Sequence, residues 1–184
     1  MKRIAVDMDE VAADTFGGRI KRYNEVFETS LSPSDFRGKR VFDVIPEAHR
    51  DFMKVQMREP GFFVSLGVME GAQEVVRELT EHYEVFIVTA AMEVPTSFSE
   101  KYIWLRTHFP FLDPMNFVFC GHKFVIAADY LVDDHARHFE TFPGEGILFD
   151  APHNAGVDVE REGHRRVRSW AEVRELFLNE LKAS

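Results

Sequence analysis

Short apolar runs alternate with amphipathic stretches along most of this chain. The first run is Ile4–Val6 and the second is Val85–Val88, which ends at Thr89. Apolar runs of this length, with charged or polar residues at their ends, are typical of buried strands in a parallel sheet. Three further short strands are predicted, at residues 117–119, 130–132 and 147–149.

Helical stripes separate these strands. Apolar residues recur at the three- and four-residue spacing that marks one face of an α-helix. The stripes are Phe16-Ile20-Tyr23-Phe27, Ala72-Val75-Val76-Leu79, Phe98-Tyr102-Leu105-Phe109 and Val173-Phe177-Leu181. Ser169 and Glu172, ahead of the last stripe, have the spacing of a capping box. Strands separated by helices predict an α/β fold with a doubly wound, mostly parallel, Rossmann-like sheet and right-handed crossovers.

The stretch between the first two strands carries loop and helix signals. Ser30–Gly38 contains the proline and glycine pattern of a loop, and Pro46 can occupy the first turn of a helix that ends near Pro60-Gly61. The face of this helix predicted to be buried is Ala48, Phe52 and Val55. We therefore predict a small helical cap at residues 16–68, inserted into a core domain made of residues 1–15 and 69–184.

Composition narrows the class of protein. A length of 184 residues with 45% hydrophobic content is enough for one well-packed core. The net charge of -9 argues against binding to long nucleic acid, which needs a basic face, but leaves room for one small phosphate ester. The single cysteine, Cys120, excludes an intramolecular disulfide and a multi-cysteine metal cluster. With no secretory or membrane-spanning pattern, we expect a cytoplasmic protein with no membrane partner.

Polar side chains stand at the ends of three predicted strands. Because parallel strands bring their carboxyl ends to one edge of a sheet, groups far apart in sequence can meet there. The residues concerned are Asp7 and Asp9 after the first strand, Thr89 after the second, Asp133 and Asp134 after the fourth, and Lys123 ahead of that pair. The sequence therefore predicts one polar site built from widely separated residues.

This set of residues matches what phosphoryl transfer requires. Carboxylates as close as Asp7 and Asp9 need a cation between them, and Mg²⁺ prefers such oxygen ligands. Asp7 is the expected nucleophile, because a carboxylate can form an aspartyl-phosphate. Asp9 is the expected general acid and base, and a lysine and a hydroxyl would neutralise the transferring group. Asp133 and Asp134 would complete the metal shell.

Each of these residues also has an ordinary structural interpretation. Thr89 could cap the following helix, and Lys123 could be a solvated surface residue. Asp133-Asp134-His135 could be a second capping cluster or, with His138, a zinc site. Zinc is disfavoured because the pattern lacks a third nitrogen or sulfur ligand and because carboxylates suit a harder ion.

The order of these residues argues against a two-component receiver domain. Receivers also combine acidic residues, a threonine and a lysine on a doubly wound sheet. They place both acidic positions before the threonine and the lysine, whereas here the second acidic pair comes last. The inserted helices have no counterpart in that fold.

The arrangement Asp7-x-Asp9, Thr89, Lys123, Asp133-Asp134 resembles that of the haloacid dehalogenase-like superfamily of phosphohydrolases. A narrower resemblance, to the bacterial branch of the 5'(3')-deoxyribonucleotidase family, covers nearly the whole chain. The landmarks that carry it are Asp7-Met8-Asp9-Glu10-Val11, Pro60-Gly61-Phe62-Phe63, Val85-Phe86-Ile87, Thr89-Ala90-Ala91-Met92, Glu100-Lys101-Tyr102-x-Trp104, Asp129 to Asp134, Ile147-Leu148-Phe149 and His153-Asn154.

This resemblance implies a Mg²⁺-dependent phosphatase that releases phosphate from a deoxynucleoside monophosphate, with a helical cap over the substrate and a possible homodimer. It assigns the roles of individual residues as well. Asp7 would be the nucleophile and a metal ligand, and Asp9 would be the acid/base and a metal ligand through its backbone carbonyl. Asp134 would bind the metal directly, with Asp133 behind the metal shell. The phosphate-binding groups would be Thr89, the amide of Ala90 and Lys123.

The chain departs from the family pattern at three places. Family members that prefer pyrimidines have an aromatic residue where Thr15 stands and an aromatic pair where Lys39-Arg40 stands. Glu10 replaces a glycine, and Lys39 and Arg40 could meet a second anionic group or be surface residues. The preferred base and sugar and the choice between 5' and 3' phosphate therefore stay open. A phosphatase of another small metabolite, such as a sugar phosphate, and a non-catalytic nucleotide-binding protein are the alternatives.

Overall fold

A computed structural model describes residues 1–160 and 163–182, and for residues 180–182 it describes the backbone alone. Six strands in this part of the chain form one sheet in which all neighbours run parallel. The strands are β1 (Arg3–Asp7), β2 (Glu84–Thr89), β3 (Phe117–Phe119), β4 (Tyr130–Asp133), β5 (Glu145–Phe149) and β6 (Arg165–Val167), in the spatial order β3-β2-β1-β4-β5-β6. The predicted α/β class and the five predicted strands are confirmed.

The first strand lies in the middle of the sheet, and its apolar residues are buried on both faces. It pairs with β2 on one side, where Asp7 lies opposite Val88, and with β4 on the other, where Val6 lies opposite Val132. The chain builds the sheet from β1 towards β3 and then returns to build it from β4 towards β6. The strand order thus reverses between β1 and β4, and a ligand crevice is expected at the carboxyl ends of these two strands.

The sixth strand was not predicted, because its sequence lacks an apolar run. Two of its three residues are arginines, and they pair with acidic residues of the neighbouring segment. Arg165 pairs with Glu145, and Arg166 Nη1 lies 2.7 Å from Asp150 Oδ1. Partner side chains in three dimensions, rather than hydropathy, stabilise this edge strand.

Helices connect the strands, and the three that follow Gly71 pack on one face of the sheet. They are α1 (Thr15–Phe27), α2 (Val41–Val44), α3 (Arg50–Val55), α4 (Ala72–Leu79), α5 (Phe98–His108) and α6 (Trp170–Lys182), with short 3₁₀ turns between them. Apolar residues of α4, α5 and α6 share one cluster with Ile4, Val6 and Ile87. The opposite face, with Ala5 and Leu131, is covered by aromatic residues of the β4–β5 connection, Phe139 and Phe142. Among the described residues, none of the helices combines the length and the apolar character needed to cross a bilayer.

The apolar stripe predicted for α5 is wrong at Tyr102. Tyr102 is 45% exposed, whereas Lys101, Trp104 and Leu105 are buried. Trp104 contacts the core, where its Nε1 donates a hydrogen bond of 2.9 Å to the carbonyl oxygen of Leu66. The buried face is displaced because the polar end of Lys101 has partners inside the protein, which hydropathy alone does not reveal.

The helix after β6 follows the prediction more closely. Val173 and Phe177 are fully buried, and the side chain of Leu181 lies outside the described residues. Ser169 accepts a hydrogen bond of 3.3 Å from the amide of Glu172, as a capping box requires. The carboxylate of Glu172 accepts from the amide of Arg168 instead of that of Ser169, at 2.8 Å.

Residues between β1 and Gly71 have an apolar cluster of their own. Its buried members are Ile20, Tyr23, Phe36, Ile45 and Met53. The prediction of one continuous helix after Pro46 is wrong, because 3₁₀ turns at 47–49 and 56–58 flank the short α3. Each change of helical period rotates the buried face, so Met53 points inwards while Ala48 and Val55 are exposed.

This segment contacts the core in its middle and near its far end. Arg37 Nη1 donates a hydrogen bond of 2.8 Å to Asp150, and the amide of Gly38 donates one of 2.9 Å to the carbonyl oxygen of Pro152. Phe62 and Phe63 pack in the cluster that α5 shares with the sheet. The limits of the cap at residues 16 and 68 stay a prediction.

Candidate active site

A cavity of about 330 Å³ opens at the carboxyl ends of β1, β2 and β4. Five of the residues predicted for the site line it: Asp7, Asp9, Ala90, Lys123 and Asp134. The other two, Thr89 and Asp133, lie directly behind that wall and are fully buried. The fold therefore brings all seven residues together at the edge of the sheet where strand order reverses.

Lys123 bridges two carboxylates at the floor of the cavity. Its Nζ lies 2.5 Å from Oδ1 of Asp7 and 2.5 Å from Oδ2 of Asp133. Burial by itself would lower the pKa of Lys123, but the two carboxylates outweigh burial and raise it above its usual range. Lys123 is therefore a permanent positive charge inside the site, and its interpretation as a surface residue is wrong.

Asp133 is fully engaged with protein partners. Besides Lys123, its carboxylate accepts a hydrogen bond of 2.9 Å from the amide of His135 and lies 2.8 Å from Nδ1 of His138. Burial would raise the pKa of Asp133, yet Lys123 and His138 hold that pKa below its usual range. A carboxylate with this many partners orients its neighbours and has little capacity left for a metal ion.

Fewer favourable partners offset the cost of burying Asp7 and Asp134 than offset that of burying Asp133. Burial, aided by the charges of Asp133 and Asp9, raises the pKa of Asp7 to about 7 even though Lys123 opposes the shift. Burial and the neighbouring charge of Asp7 also raise the pKa of Asp134 well above its usual value. Oxygen atoms of Asp7, Asp133 and Asp134 lie within 4.8 Å of one another. Because Asp133 is engaged by protein partners, the buried oxygens of Asp7 and Asp134 are the ones that fit a hard divalent cation such as Mg²⁺.

The side chain of Asp9 is held from three directions. Thr15 donates a hydrogen bond of 3.1 Å to Oδ1, Thr89 donates one of 3.3 Å to Oδ2, and Lys101 Nζ pairs with the same Oδ2. Lys101 also donates a hydrogen bond of 2.8 Å to Thr89 and lies 4.7 Å from the centre of the Phe63 ring. Asp9 therefore has one defined orientation at the cavity wall.

Lys101 was not among the residues predicted for the site. Its only signals were its position three residues before Trp104 on a helix and its place in a family landmark. The preceding residue, Glu100, connects this helix to the 61–63 segment. Its carboxylate accepts hydrogen bonds of 2.6 Å and 3.0 Å from the amides of Gly61 and Phe63. A lysine on the buried side of an amphipathic helix is the feature that could have identified it.

The loop after β1 fixes the backbone that presents these carboxylates. The amide of Met8 donates a hydrogen bond of 3.2 Å to Val88, and Trp170 Nε1 donates one of 2.8 Å to Val11. Glu10 adopts a left-handed conformation, with φ at 62°. This is the position where the family pattern has a glycine, which adopts that conformation without the steric cost of a side chain.

The Glu10 side chain turns back into the cavity wall. Its carboxylate accepts a hydrogen bond from the amide of Phe16. Burial and the charge of Asp14 nevertheless raise the pKa of Glu10 to about 8. Glu10 is thus a partly buried carboxyl group at the cavity wall, with a strong tendency to stay protonated.

The departures from the family pattern have clear positions in the structure. Thr15 binds Asp9, while the next residue, Phe16, lines the cavity together with Val41, Met57 and Val94. Lys39 and Arg40 are exposed surface residues, and Arg40 pairs with Asp43 at 3.0 Å.

The fold defines the class of protein first. The structure superposes on a haloacid dehalogenase family hydrolase from Deinococcus radiodurans R1, whose crystal structure holds phosphate and sodium, with a TM-score of 0.66. The two share 15% identity, and the match covers 97% of this chain and 96% of that one. This chain therefore has the haloacid dehalogenase-like fold.

The sequence defines the family. Residues 1–183 match the family described as 5' nucleotidase, deoxy (pyrimidine), cytosolic type C protein. A Bacillus subtilis (strain 168) protein named 5'(3')-deoxyribonucleotidase is 36% identical over 179 residues, which are 96% of this chain and 99% of the relative. A Staphylococcus aureus (strain Mu50) protein that carries this name provisionally is 50% identical over 181 residues, 98% of each chain. The chain belongs to this 5'-nucleotidase family, and thus to the phosphoric monoester hydrolases.

Proposed function

We propose that this protein is a Mg²⁺-dependent 5'(3')-deoxyribonucleotidase that hydrolyses nucleoside monophosphates through an aspartyl-phosphate on Asp7. The observation that carries the proposal is the convergence of Asp7, Lys123 and an oriented Asp9 on one cavity. Nucleophile, fixed cation and acid/base are the groups that a stepwise phosphomonoester hydrolysis needs.

The reaction would proceed in two steps. An oxygen of Asp7 attacks phosphorus, the ester P–O bond breaks, and Asp9 gives its proton to the leaving oxygen. Water then attacks the phosphorus of the aspartyl-phosphate, and Asp9 accepts the proton of that water as the carboxylate of Asp7 is released. Lys123, the hydroxyl of Thr89 and the amide of Ala90 would hold the phosphoryl oxygens.

The carboxylates of Asp7 and Asp134 and the backbone carbonyl of Asp9 would hold Mg²⁺. When bound, the ion neutralises the carboxylates and the phosphoryl oxygens. Asp133 would act from behind this shell, a role that its bonds to Lys123 and His138 support. Burial raises the pKa of Asp7 and of Asp134, which disfavours their ionised forms. A cation in addition to Lys123 would therefore stabilise these two carboxylates most.

The remaining walls of the cavity suit the nucleoside part of a substrate. Phe16, Val41 and Met57 belong to the proposed cap and form an apolar wall. Phe16 offers an aromatic face where Thr15 does not, and base stacking on such a face is worth about 1 to 3 kcal/mol. A cytoplasmic location fits a nucleotidase, and the homodimer stays a prediction.

A phosphate-release screen tests this proposal. Purified protein with Mg²⁺ is assayed on deoxyribonucleotides and ribonucleotides with 5' or 3' phosphate and, in parallel, on sugar phosphates. We expect the best substrates to be nucleotides and the activity to be lost in Asp7→Asn, while Asp51→Asn, at an exposed cap residue, keeps it.

Three results would contradict parts of the proposal. If Asp7→Asn turned over substrate at the wild-type rate, the covalent mechanism would be excluded. A sugar phosphate as the best substrate replaces the nucleotidase assignment. Tight nucleotide binding without phosphate release over hours replaces the enzyme with a binding protein.

A further inference from the structure

We propose that Asp134, His135 and His153 form a binding site for one zinc ion at the mouth of the cavity. Oxygen or nitrogen atoms of these three side chains lie within 4.8 Å of one another. The spacing of acidic and histidine residues in the sequence suggested His138 as a partner but lacked a further nitrogen ligand. The fold supplies that ligand from His153.

The distances match those between ligands of one zinc ion. Nε2 of His153 lies 3.4 Å from Oδ2 of Asp134, and Nε2 of His135 lies 3.8 Å from the same oxygen. Adjacent ligands of a tetrahedral zinc ion, with bonds of about 2.0 to 2.1 Å, are roughly 3.3 Å apart. The two imidazole rings are already neighbours, with centroids 4.4 Å apart. Nε2 of His153 also lies 3.2 Å from the carbonyl oxygen of Asp134, a contact that a bound ion would replace.

Buried hydrogen bonds hold the backbone of the site in place. Asp134 and His135 follow β4, and His153 lies in the turn after β5. Asn154, fully buried, connects the two segments: its Nδ2 donates hydrogen bonds of 2.8 Å to the carbonyl oxygens of Asp134 and Phe149. The ligands therefore come from a prearranged framework, which lowers the entropic cost of binding an ion.

His138 is not part of this site. Its Nδ1 lies 2.8 Å from Asp133, whose other partner is Lys123. His135 and His153, in contrast, have side chains that are 44% and 38% exposed and line the cavity, so an ion can reach them from solvent. Two imidazoles and one carboxylate favour zinc over magnesium, and three protein ligands leave a fourth position for water.

The site has a consequence for catalysis that rests on the proposed function. Asp134 belongs both to this group and to the set of carboxylates proposed to hold Mg²⁺. An ion bound by the two histidines would occupy an oxygen of Asp134, so zinc is expected to inhibit phosphate release. The zinc site itself does not depend on turnover.

Cobalt titration of the metal-free protein tests the site without an activity assay. Co²⁺ replaces zinc in sites of this kind, and its visible absorption reports the number and type of ligands. We expect one equivalent of Co²⁺ to give an intense visible band that one equivalent of Zn²⁺ abolishes. His135→Ala and His153→Ala should each weaken binding at least about 10-fold, which is roughly 1.4 kcal/mol.

His82→Ala is the matched control, because His82 is exposed and lies just before the amino end of β2, whereas the proposed site lies at the carboxyl ends of the strands. His153→Asp provides a second test, since it keeps a ligand and should retain the ion with a shifted spectrum. Circular dichroism verifies that each variant is folded.

A wild-type protein without the cobalt band, or a double histidine variant that binds as tightly as wild type, overturns the proposal. Loss of activity on nucleotides would count against the proposed function and leave this spectrum unaffected.

Discussion

Nζ of Lys123 lies 2.5 Å from Oδ1 of Asp7, and both side chains are almost completely buried. Taking such a pair out of water is costly, and the cost is offset only because Asp133 adds a second carboxylate and further hydrogen bonds. The site is therefore charged and oriented before a substrate arrives. Preorganisation of this kind is what electrostatic catalysis requires.

Removal of the lysine should strongly destabilise the fold. Lys123→Met leaves the carboxylates of Asp7 and Asp133 buried without their shared cation, a loss of about 3 kcal/mol in the free energy of unfolding. In a protein of this size that lowers Tm by roughly 6 to 12 °C in thermal melts. Lys54→Met, at an exposed residue, is the control.

A double-mutant cycle separates this charge effect from lost packing. Asp133→Asn in the Lys123→Met background removes one of the unpaired charges. The double variant should therefore be less destabilised than the sum of the two single variants. Additive losses would contradict the charge-based explanation.

Loss of Lys101 should affect turnover more than binding. In Lys101→Met the carboxylate of Asp9 keeps Thr15 and Thr89 as partners but loses its cation. Because a misoriented acid transfers its proton poorly, we expect kcat to fall about 100-fold with KM changed only a few-fold. Steady-state kinetics on the best substrate measures both, and Arg106→Met, at an exposed position of α5, is the control. A raised KM with unchanged kcat would instead identify Lys101 as a phosphate ligand.

Glu10 should make the stability of the metal-free protein depend on pH. Its pKa in the folded protein, about 8, lies above the ordinary value of 4.5. The unfolded chain therefore ionises first as pH rises, so this residue costs stability progressively from pH 4.5 up to about pH 8. Glu10→Gln keeps an oxygen that can accept from the amide of Phe16 and has no charge to bury.

The gain in stability from Glu10→Gln should be near zero at pH 4.5 and grow until about pH 8. A gain of at least about 1 kcal/mol, roughly 2 to 4 °C in Tm, is expected at the upper end. Thermal melts across this range without divalent ions measure it, with Glu81→Gln, at an exposed residue, as the control. A gain that is constant with pH would mean that the charge of Glu10 does not limit stability.

Several features followed from the sequence alone. The strands β1 to β5 were predicted from short continuous apolar runs, and the helices α1 and α4 from apolar residues at helical spacing. Both patterns are local and do not depend on which element packs against them. The convergence of Asp7, Asp9, Thr89, Lys123 and Asp133-Asp134 was predicted from the rule that parallel strands end at one edge.

Other features required the tertiary structure. The arginines of β6, the inward side of α5 with Lys101, and the approach of His153 to Asp134 all depend on partners distant in sequence. Local spacing cannot predict them, because a polar side chain is buried only where another element supplies its counter-charge or hydrogen bond. The sequence by itself thus determined most of the elements, the family and the principal carboxylates, while long-range packing decided how Asp9 is oriented and which histidines meet.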